Sequence, residues 1–384
     1  MNGTNDRALE TVEKYYRHYG CRARELKQQG KRVMGYLSAL APLEIISAAG
    51  FVPVRIKGDP DEPITKADSR METLVCPFVR SAFDLALKGK YDYLDGILIP
   101  HTCDSVSRTY EVWVHNLNLP YSHFLNVPHV TDAPSFEFFI HILETFVKSL
   151  ERFTGDKIPH DRLAQAIEAY NENRREMRTL YELRKSDREM ISAPEMMKVL
   201  VAVASLPVEE STALLRQVTG EVRSRNGRAS KKPVRMMVVT DQMDDTALVQ
   251  IVESAGARVV MDDISVGSKI YWSDVEQTEN PLHGIAERYL RRINLATLCR
   301  DRAGTYQENL DARFGHLRAF IADFRVDAVI LLVYKNCDPY GFEVPATQSY
   351  IESLGIPVLY LEDDYSSSSP VRLKTRIEAF LENL

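Results

Sequence analysis

The sequence YLDGILIPHTCD at residues 93–104 has a counterpart in RVDAVILLVYKNCD at residues 325–338. Each stretch is an apolar run of strand length that leads within a few residues to Cys-Asp. Short apolar runs that alternate with helical patterns are typical of βαβ units, which build parallel sheets. The two stretches therefore predict one parallel strand in each half of the chain, with a cysteine just past its carboxyl end.

The sequence around these two strands extends the likeness into an internal duplication. In both halves a strand leads to a helix that ends in Ala-Gly, and a second strand follows. Glycine is typical of this position because it tolerates the left-handed conformation that ends a helix. Three pairs of segments carry this pattern: GYL-loop-PLEIISAAG (35–50) with RMMVVT-loop-DTALVQIVESAG (235–256), FVPVRI (51–56) with ARVVMDD (257–263), and LPYSHFLNVP (119–128) with IPVLYLEDD (356–364).

The pattern predicts an α/β protein with two similar parallel-sheet subdomains, Rossmann- or flavodoxin-like, that face a cleft, plus a helical segment. We expect an N-terminal helical segment at 1–32, with one helix at 8–29 that ends at Gly30. The remaining expected units are a first α/β subdomain at 33–155, a helical segment and basic linker at 156–230, and a second α/β subdomain at 231–384. Strands are predicted at 33–37, 52–56, 94–99, 122–127, 236–240, 258–261, 328–334 and 358–361.

Composition and charge exclude several classes of function. The 384 residues carry 48 basic and 54 acidic side chains, a net charge of −6, which argues against a nucleic-acid partner. No apolar run approaches the roughly 18 residues of a membrane span, and the N-terminus has no signal-peptide core. We expect a cytoplasmic protein with no membrane contact. The chain has no GxGxxG, P-loop, HExxH or GxSxG motif, so any ATP would be bound by another protein.

The duplication predicts where two of the five cysteines lie. Cys103 and Cys337 would sit at equivalent places past the carboxyl ends of parallel strands, where such sheets bind ligands. Cys76 precedes a helix, whose N-terminus favours a thiolate. Three thiolates in one cleft would suit an iron–sulfur cluster, Zn or Cu(I), and a cubane held by three would leave one iron open. The alternative is a set of buried free thiols. Cys21 and Cys299 are expected to be ordinary thiols, in the core or at the surface.

The sequence resembles the 2-hydroxyacyl-CoA dehydratase/benzoyl-CoA reductase subunit family, closest to its smaller subunits. The resemblance runs in order along nearly the whole chain. It rests on GYLSALAPLEIISAAGFVPVRI (35–56), the stretch from ADSRMETLVCPFVR to HTCDSVSRTYEVW (67–113), AIEAYNENRREMRTLYELRK (166–185), YKNCDPYGFEVPATQSYIESLGIPVLYLEDDY (334–365) and RLKTRIEAF (372–380).

The resemblance implies an oxygen-sensitive, two-subunit radical enzyme that acts on CoA thioesters. It implies a [4Fe–4S] cluster on Cys76, Cys103 and Cys337, a homologous second subunit, an acyl-CoA substrate, and a separate activator protein that hydrolyses ATP and carries its own cluster. The sequences of the motifs favour the benzoyl-CoA reductase type, which reduces the aromatic ring of its substrate in one-electron steps. The alternatives are a 2-hydroxyacyl-CoA dehydratase, which eliminates water through a ketyl radical, an electron-relay subunit with no substrate site, and a cluster-free α/β binding protein.

Several polar residues are further candidates. His101, two residues before Cys103, could donate a proton or hydrogen-bond to a cluster sulfide, or it could simply cap a strand. Glu44 begins a helix, where it could be catalytic or only complement the helix dipole. Asp104 and Asp338 are expected to cap the helices after the two cysteines. The run 173–178 is expected to be a solvated helix face.

Overall fold

The computed structural model describes residues 7–227, 233–298, 304–366 and 370–384. These residues form two four-stranded parallel sheets with the same strand order. The first sheet has the order β2-β1-β3-β4 and the second β6-β5-β7-β8. The strands are β1 (Arg32–Tyr36), β2 (Phe51–Arg55), β3 (Gly96–Pro100), β4 (Tyr121–Leu125), β5 (Arg235–Val239), β6 (Arg258–Asp263), β7 (Ala328–Tyr334) and β8 (Val358–Asp363).

All eight predicted strands are present, and the shared order confirms two similar parallel-sheet subdomains. Both central strands β3 and β7 are buried along their whole length, which explains their uninterrupted apolar sequences. Helices follow the strands as the duplication predicts. In the first half they are α3 (Leu43–Ala48), α4 (Pro77–Leu87), α5 (Asp104–Asn116) and α6 (Ala133–Thr154); in the second, α10 (Ala247–Ser254), α11 (Ser268–Tyr271), α12 (Pro281–Ala286), α13 (Tyr306–Phe324), α14 (Asp338–Ser353) and α15 (Pro370–Leu381).

The helical segment lies between the two sheets in the chain. It contains α7 (His160–Glu182), α8 (Ala193–Val203) and α9 (Val208–Arg223), with a 3₁₀ turn at Leu183–Lys185. Helix α8 begins with a capping box, in which Ser192 and Glu195 satisfy each other's backbone N–H groups. Most of α8 is buried, and it belongs to an apolar core that is continuous with residues of both sheets. A second core packs α3, α6 and α12 against the other face of the first sheet.

The prediction of one N-terminal helix at 8–29 is wrong. The segment forms α1 (Ala8–Arg17) and α2 (Cys21–Gln28), which are separated at Gly20. Gly20 has a φ of 73°, a left-handed conformation that ends one helix direction and begins another. A Cβ at this position would lie 2.5 Å from the Tyr93 hydroxyl oxygen, so the break depends on a contact that is distant in sequence.

The helices of the structure do not include a membrane span. Across the described residues, none of them combines the length and the apolar character that crossing a bilayer requires.

Candidate three-cysteine site

Three cysteines occupy the same structural position, the residue immediately before a helix. Cys76 is the N-cap of α4, Cys103 the N-cap of α5 and Cys337 the N-cap of α14. Cys103 and Cys337 each lie three residues past the end of the equivalent strands β3 and β7. The first N–H groups of each helix have no partner within the helix, so three partial positive charges face the region of the sulfur atoms.

The three cysteines line a single cavity at the carboxyl edges of both sheets. The loop after β5 closes one side of it. Among the described residues the wall contains no Lys, Arg or His. The wall residues are Cys76, Phe78, Val79, Cys103, Ser105, Val106, Thr240, Asp241, Gln242, Leu332, Val333, Tyr334, Asn336, Cys337, Pro339 and Tyr340.

The thiols differ in acidity because their surroundings differ. A hydrogen bond with Cys337 lowers the pKa of Cys76, and the N–H groups of Val79 and Phe78 also lower it. The same hydrogen bond, together with burial, raises the pKa of Cys337. Burial raises the pKa of Cys103 to about 12. Cys76 is therefore the more acidic thiol of the pair.

The cavity suits a multinuclear cation better than a single metal ion. Within the described residues, no three His, Cys, Asp or Glu side chains converge closely enough to hold one metal ion. In a cubane each thiolate binds a different iron, so the ligands surround the cluster rather than one point. Three thiols and a carboxylate in a wall without Lys, Arg or His would repel one another when ionised, and bound iron would remove that repulsion. These residues therefore fit a [4Fe–4S] cluster.

Asp104 and Asp338 do not cap their helices, contrary to the prediction. Each is the first residue of its helix, and the cap position belongs to the preceding cysteine. Asn336, directly before Cys337, has a left-handed φ of 61°, which places the cysteine at the start of α14. Cys21 lines a separate groove that also involves α1 and the loops after β2 and β5, and Cys299 lies outside the described residues.

His101 is near the cysteines in sequence but does not line their cavity. Its ring lies against His129, with 4.3 Å between ring centroids, and its Nδ1 is 3.3 Å from the Asn126 side-chain oxygen. His129 in turn contacts the His101 carbonyl oxygen through Nε2 at 3.2 Å. The catalytic role of His101 stays a prediction.

Glu44 is completely buried, in an ion pair with Arg174 of α7. The Tyr289 hydroxyl donates a hydrogen bond to Glu44 Oε2 at 2.9 Å. Burial raises the pKa of Glu44, but Arg174 and Arg288 more than offset this, so the pKa is lowered. The predicted solvated face at 173–178 is wrong for Asn173 and Arg174, which are buried because they bind partners across the helical segment. A catalytic role for Glu44 stays a prediction.

Asp241 is the residue at this site that sequence reasoning missed. It follows the end of β5 by two residues and lines the cavity with all three cysteines. Its counterpart by position in the first half is Ser38, two residues past the end of β1. Alignment of the two duplicated strands could have singled out this pair, since both positions lie at the carboxyl end of a central strand.

A duplicated α/β protein with a three-cysteine cavity between its sheets is the class that this fold and site define. A family model described as "2-hydroxyglutaryl-CoA dehydratase, D-component" matches residues 39–384, and the chain belongs to that family.

Curated relatives match nearly their full lengths. The (R)-phenyllactyl-CoA dehydratase beta subunit of Clostridium sporogenes is 25% identical over 368 residues, which cover 94% of each chain. A benzoyl-CoA reductase subunit of Thauera aromatica is 24% identical, with 90% of this chain and 89% of the relative covered. The (R)-2-hydroxyglutaryl-CoA dehydratase subunit beta of Acidaminococcus fermentans is 24% identical, with 93% and 94% covered. The resemblance predicted from the motifs is confirmed at the level of the family.

Proposed function

We propose that this chain is one subunit of an enzyme that acts on CoA thioesters, as a dehydratase or a reductase, and that Cys76, Cys103 and Cys337 hold a [4Fe–4S] cluster. One observation carries the proposal: three cysteines that are far apart in sequence start three helices and line one cavity without a basic side chain. Relatives of both enzyme types cover nearly the whole chain, which supports the choice of substrate class.

The residues around the cysteines would prepare the site for the cluster. A bound cluster would supply single electrons at low potential. Backbone N–H groups at the start of each helix lower the pKa of its cysteine, and they oppose the burial that raises the pKa of Cys103 and Cys337. Apolar side chains such as Val79, Val106 and Leu332 exclude water and keep the local dielectric constant low, which strengthens every charge interaction there.

The chain would work with other proteins in the cytoplasm. Its relatives are all named as single subunits of dehydratases or of a reductase, which supports a second, homologous subunit. The family resemblance implies a separate ATP-hydrolysing activator with its own cluster that would deliver the electrons, and the absence of a P-loop motif from this sequence agrees with it. The division into units at 1–32, 33–155, 156–230 and 231–384 stays part of this proposal.

The proposal also concerns whether the enzyme is a reductase or a dehydratase. The sequences of the motifs favour the benzoyl-CoA reductase type, and the 2-hydroxyacyl-CoA dehydratase is the alternative. The two outcomes differ in electron use, because a reductase consumes electrons with every turnover and a dehydratase recycles one. Aromatic acyl-CoA and 2-hydroxyacyl-CoA, each supplied to the complete complex with activator and ATP, would distinguish them by the ratio of ATP hydrolysed to product formed.

Anaerobic purification with the partner subunit tests the cluster. We expect a brown protein whose iron and sulfide content includes about four atoms of each for this chain, as one cubane requires. Exposure to air should bleach it. A colourless, iron-free chain in a complete anaerobic complex would refute the cluster. A chain that turned over acyl-CoA at full rate alone would refute the two-subunit proposal.

A further inference from the structure

The wall that contains the three cysteines also contains the Asp241 carboxylate. Residues 240–242 belong to the loop after β5, and they share the cavity wall with the three cysteines. Among the described wall residues, Asp241 is the only carboxylate. A cubane has four irons, and the cysteines account for three of them, so the chemistry of the remaining iron depends on what else the wall provides.

Two side chains hold the Asp241 carboxylate in place. The Ser265 hydroxyl donates to Oδ1, and Gln242 Nε2 donates to Oδ2 at 2.9 Å. Gln242 is itself buried and accepts a hydrogen bond from Arg55, which is also buried. Each carboxylate oxygen accepts two hydrogen bonds at most, so one lone pair on each remains for a metal. Carboxylates that ligate metals are commonly held by such hydrogen bonds.

The buried Arg55 guanidinium attracts this carboxylate from a distance. Among the described residues Asp241 makes no ion pair, whereas its neighbour Asp244 in the same loop faces the Arg55 guanidinium at 3.5 Å. Asp241 shares the cavity wall with the three cysteines, so this carboxylate and ionised thiolates would repel one another. Iron bound among them would reverse the sign of that interaction.

We propose that Asp241 is the fourth protein ligand of the cluster that Cys76, Cys103 and Cys337 hold. The inference rests on the proposed function. It has a consequence for the reaction: a cluster with four protein ligands has no iron open to an acyl-CoA oxygen. The subunit would then pass electrons to a substrate site elsewhere in the complex, the electron-relay role that the sequence left open.

The test compares the wild-type complex with Asp241→Ala and Asp241→Cys, purified anaerobically with the partner subunit. Cyanide binds an iron that lacks a protein ligand, and its stoichiometry can be counted by titration with EPR detection. We expect the Asp241→Ala complex to bind one cyanide more than the wild-type complex. The Asp241→Cys complex should keep its iron, bind no additional cyanide, and show an altered EPR spectrum, because thiolate replaces carboxylate on one iron.

The control is Asp245→Asn, which removes a carboxylate from the same loop but lines a different groove. It should leave iron content, cyanide stoichiometry and EPR spectrum unchanged. Equal cyanide counts for wild type and Asp241→Ala, or an Asp241→Cys spectrum identical to that of wild type, would overturn the inference. Loss of iron from Asp241→Cys would also overturn it, since cysteine is a good iron ligand. A wild-type chain without iron would instead refute the proposed function itself.

Discussion

The two sheets have the same strand order but contribute different groups to the cysteine cavity. The first half supplies Cys76 and Cys103, and the second supplies Cys337 and Asp241. Helix α13 occupies the place in the second half that α4 has in the first, and its N-cap is Thr305 rather than a cysteine. The comparison teaches that the duplicated backbone offers equivalent helix N-termini, while single residues at those positions decide which of them carry a thiol.

The helices α3 and α10 show a second difference. Counted back from the Ala-Gly that ends each helix, Glu44 of α3 corresponds to Gln250 of α10. Glu44 is buried against Arg174 of α7, whereas Gln250 is exposed. An ion pair thus anchors the helical segment to the first half. The equivalent position of the second half is exposed to solvent and, within the described part of the chain, makes no such contact with the helical segment.

The largest effect is expected from the equivalent cysteines. Cys103→Ser and Cys337→Ser should each lose cluster iron and activity, because serine replaces a soft ligand that has no substitute in the cavity. The loss should exceed the roughly 10- to 100-fold that follows when a residue that only orients a ligand is removed. Iron analysis of the anaerobic complexes measures it. Cys21→Ser is the control and should keep full iron; full iron in the Cys337→Ser complex would break the equivalence.

The next largest effect is expected from the buried ion pair between Glu44 and Arg174, and it should appear in the free energy of unfolding. Glu44→Gln leaves the buried Arg174 charge uncompensated and should lower the free energy of unfolding by about 3–5 kcal/mol. Urea unfolding of the chain measures it. Gln250→Ala, at the exposed counterpart, should change the free energy by no more than about 0.5 kcal/mol.

The pH dependence sharpens this prediction. The folded pKa of Glu44 lies below the ordinary value of 4.5, so its contribution to stability is present above that pH and is lost as pH falls through the folded pKa. The difference between wild type and Glu44→Gln should therefore be constant from pH 6 upwards and shrink in acid. A difference that grows as the pH falls would contradict the ion-pair explanation.

The residues before the two equivalent cysteines should respond differently to substitution. Thr102 precedes Cys103 and donates a hydrogen bond to the Ser38 hydroxyl at 2.8 Å, whereas Asn336 precedes Cys337 in a left-handed conformation. Asn336→Ala should lower the free energy of unfolding by about 1–2 kcal/mol, since alanine tolerates that conformation poorly. Asn336→Gly should not lower it. Equal losses in both variants would show that the backbone conformation is not the cause.

The smallest effect is expected at the far end of α10. Burial raises the pKa of Glu253 to about 7, while its counterpart Ser47 carries no charge. A raised carboxyl pKa means that wild type loses stability as pH rises from 4.5 to 7. Glu253→Gln should therefore match wild type near pH 4.5 and be more stable at pH 8, by on the order of 1 kcal/mol. Urea unfolding at both pH values measures the difference; equal stability at pH 8 would contradict it.

Sequence alone determined the strands of this protein and the family to which it belongs. Apolar runs of strand length, helices that end in Ala-Gly and the repeated Cys-Asp predicted all eight strands. The signal is clearest for strands such as β3 and β7, because burial on both faces leaves a local and continuous apolar run. The same repeat identified Cys103 and Cys337 as equivalent residues, and the helix after Cys76 identified the third cysteine of the cavity.

Only the tertiary structure decided which groups meet. Asp241 belongs to the cysteine cavity because the β5 loop of one half lies beside helix N-termini of the other, and no local pattern records that proximity. Glu44 and Arg174 look like surface residues in sequence, yet packing of α3 on α7 buries them as a pair. The break at Gly20 depends on Tyr93 in the same way. Propensity and periodicity act over a few residues, whereas burial and charge pairing are properties of contacts between distant ones.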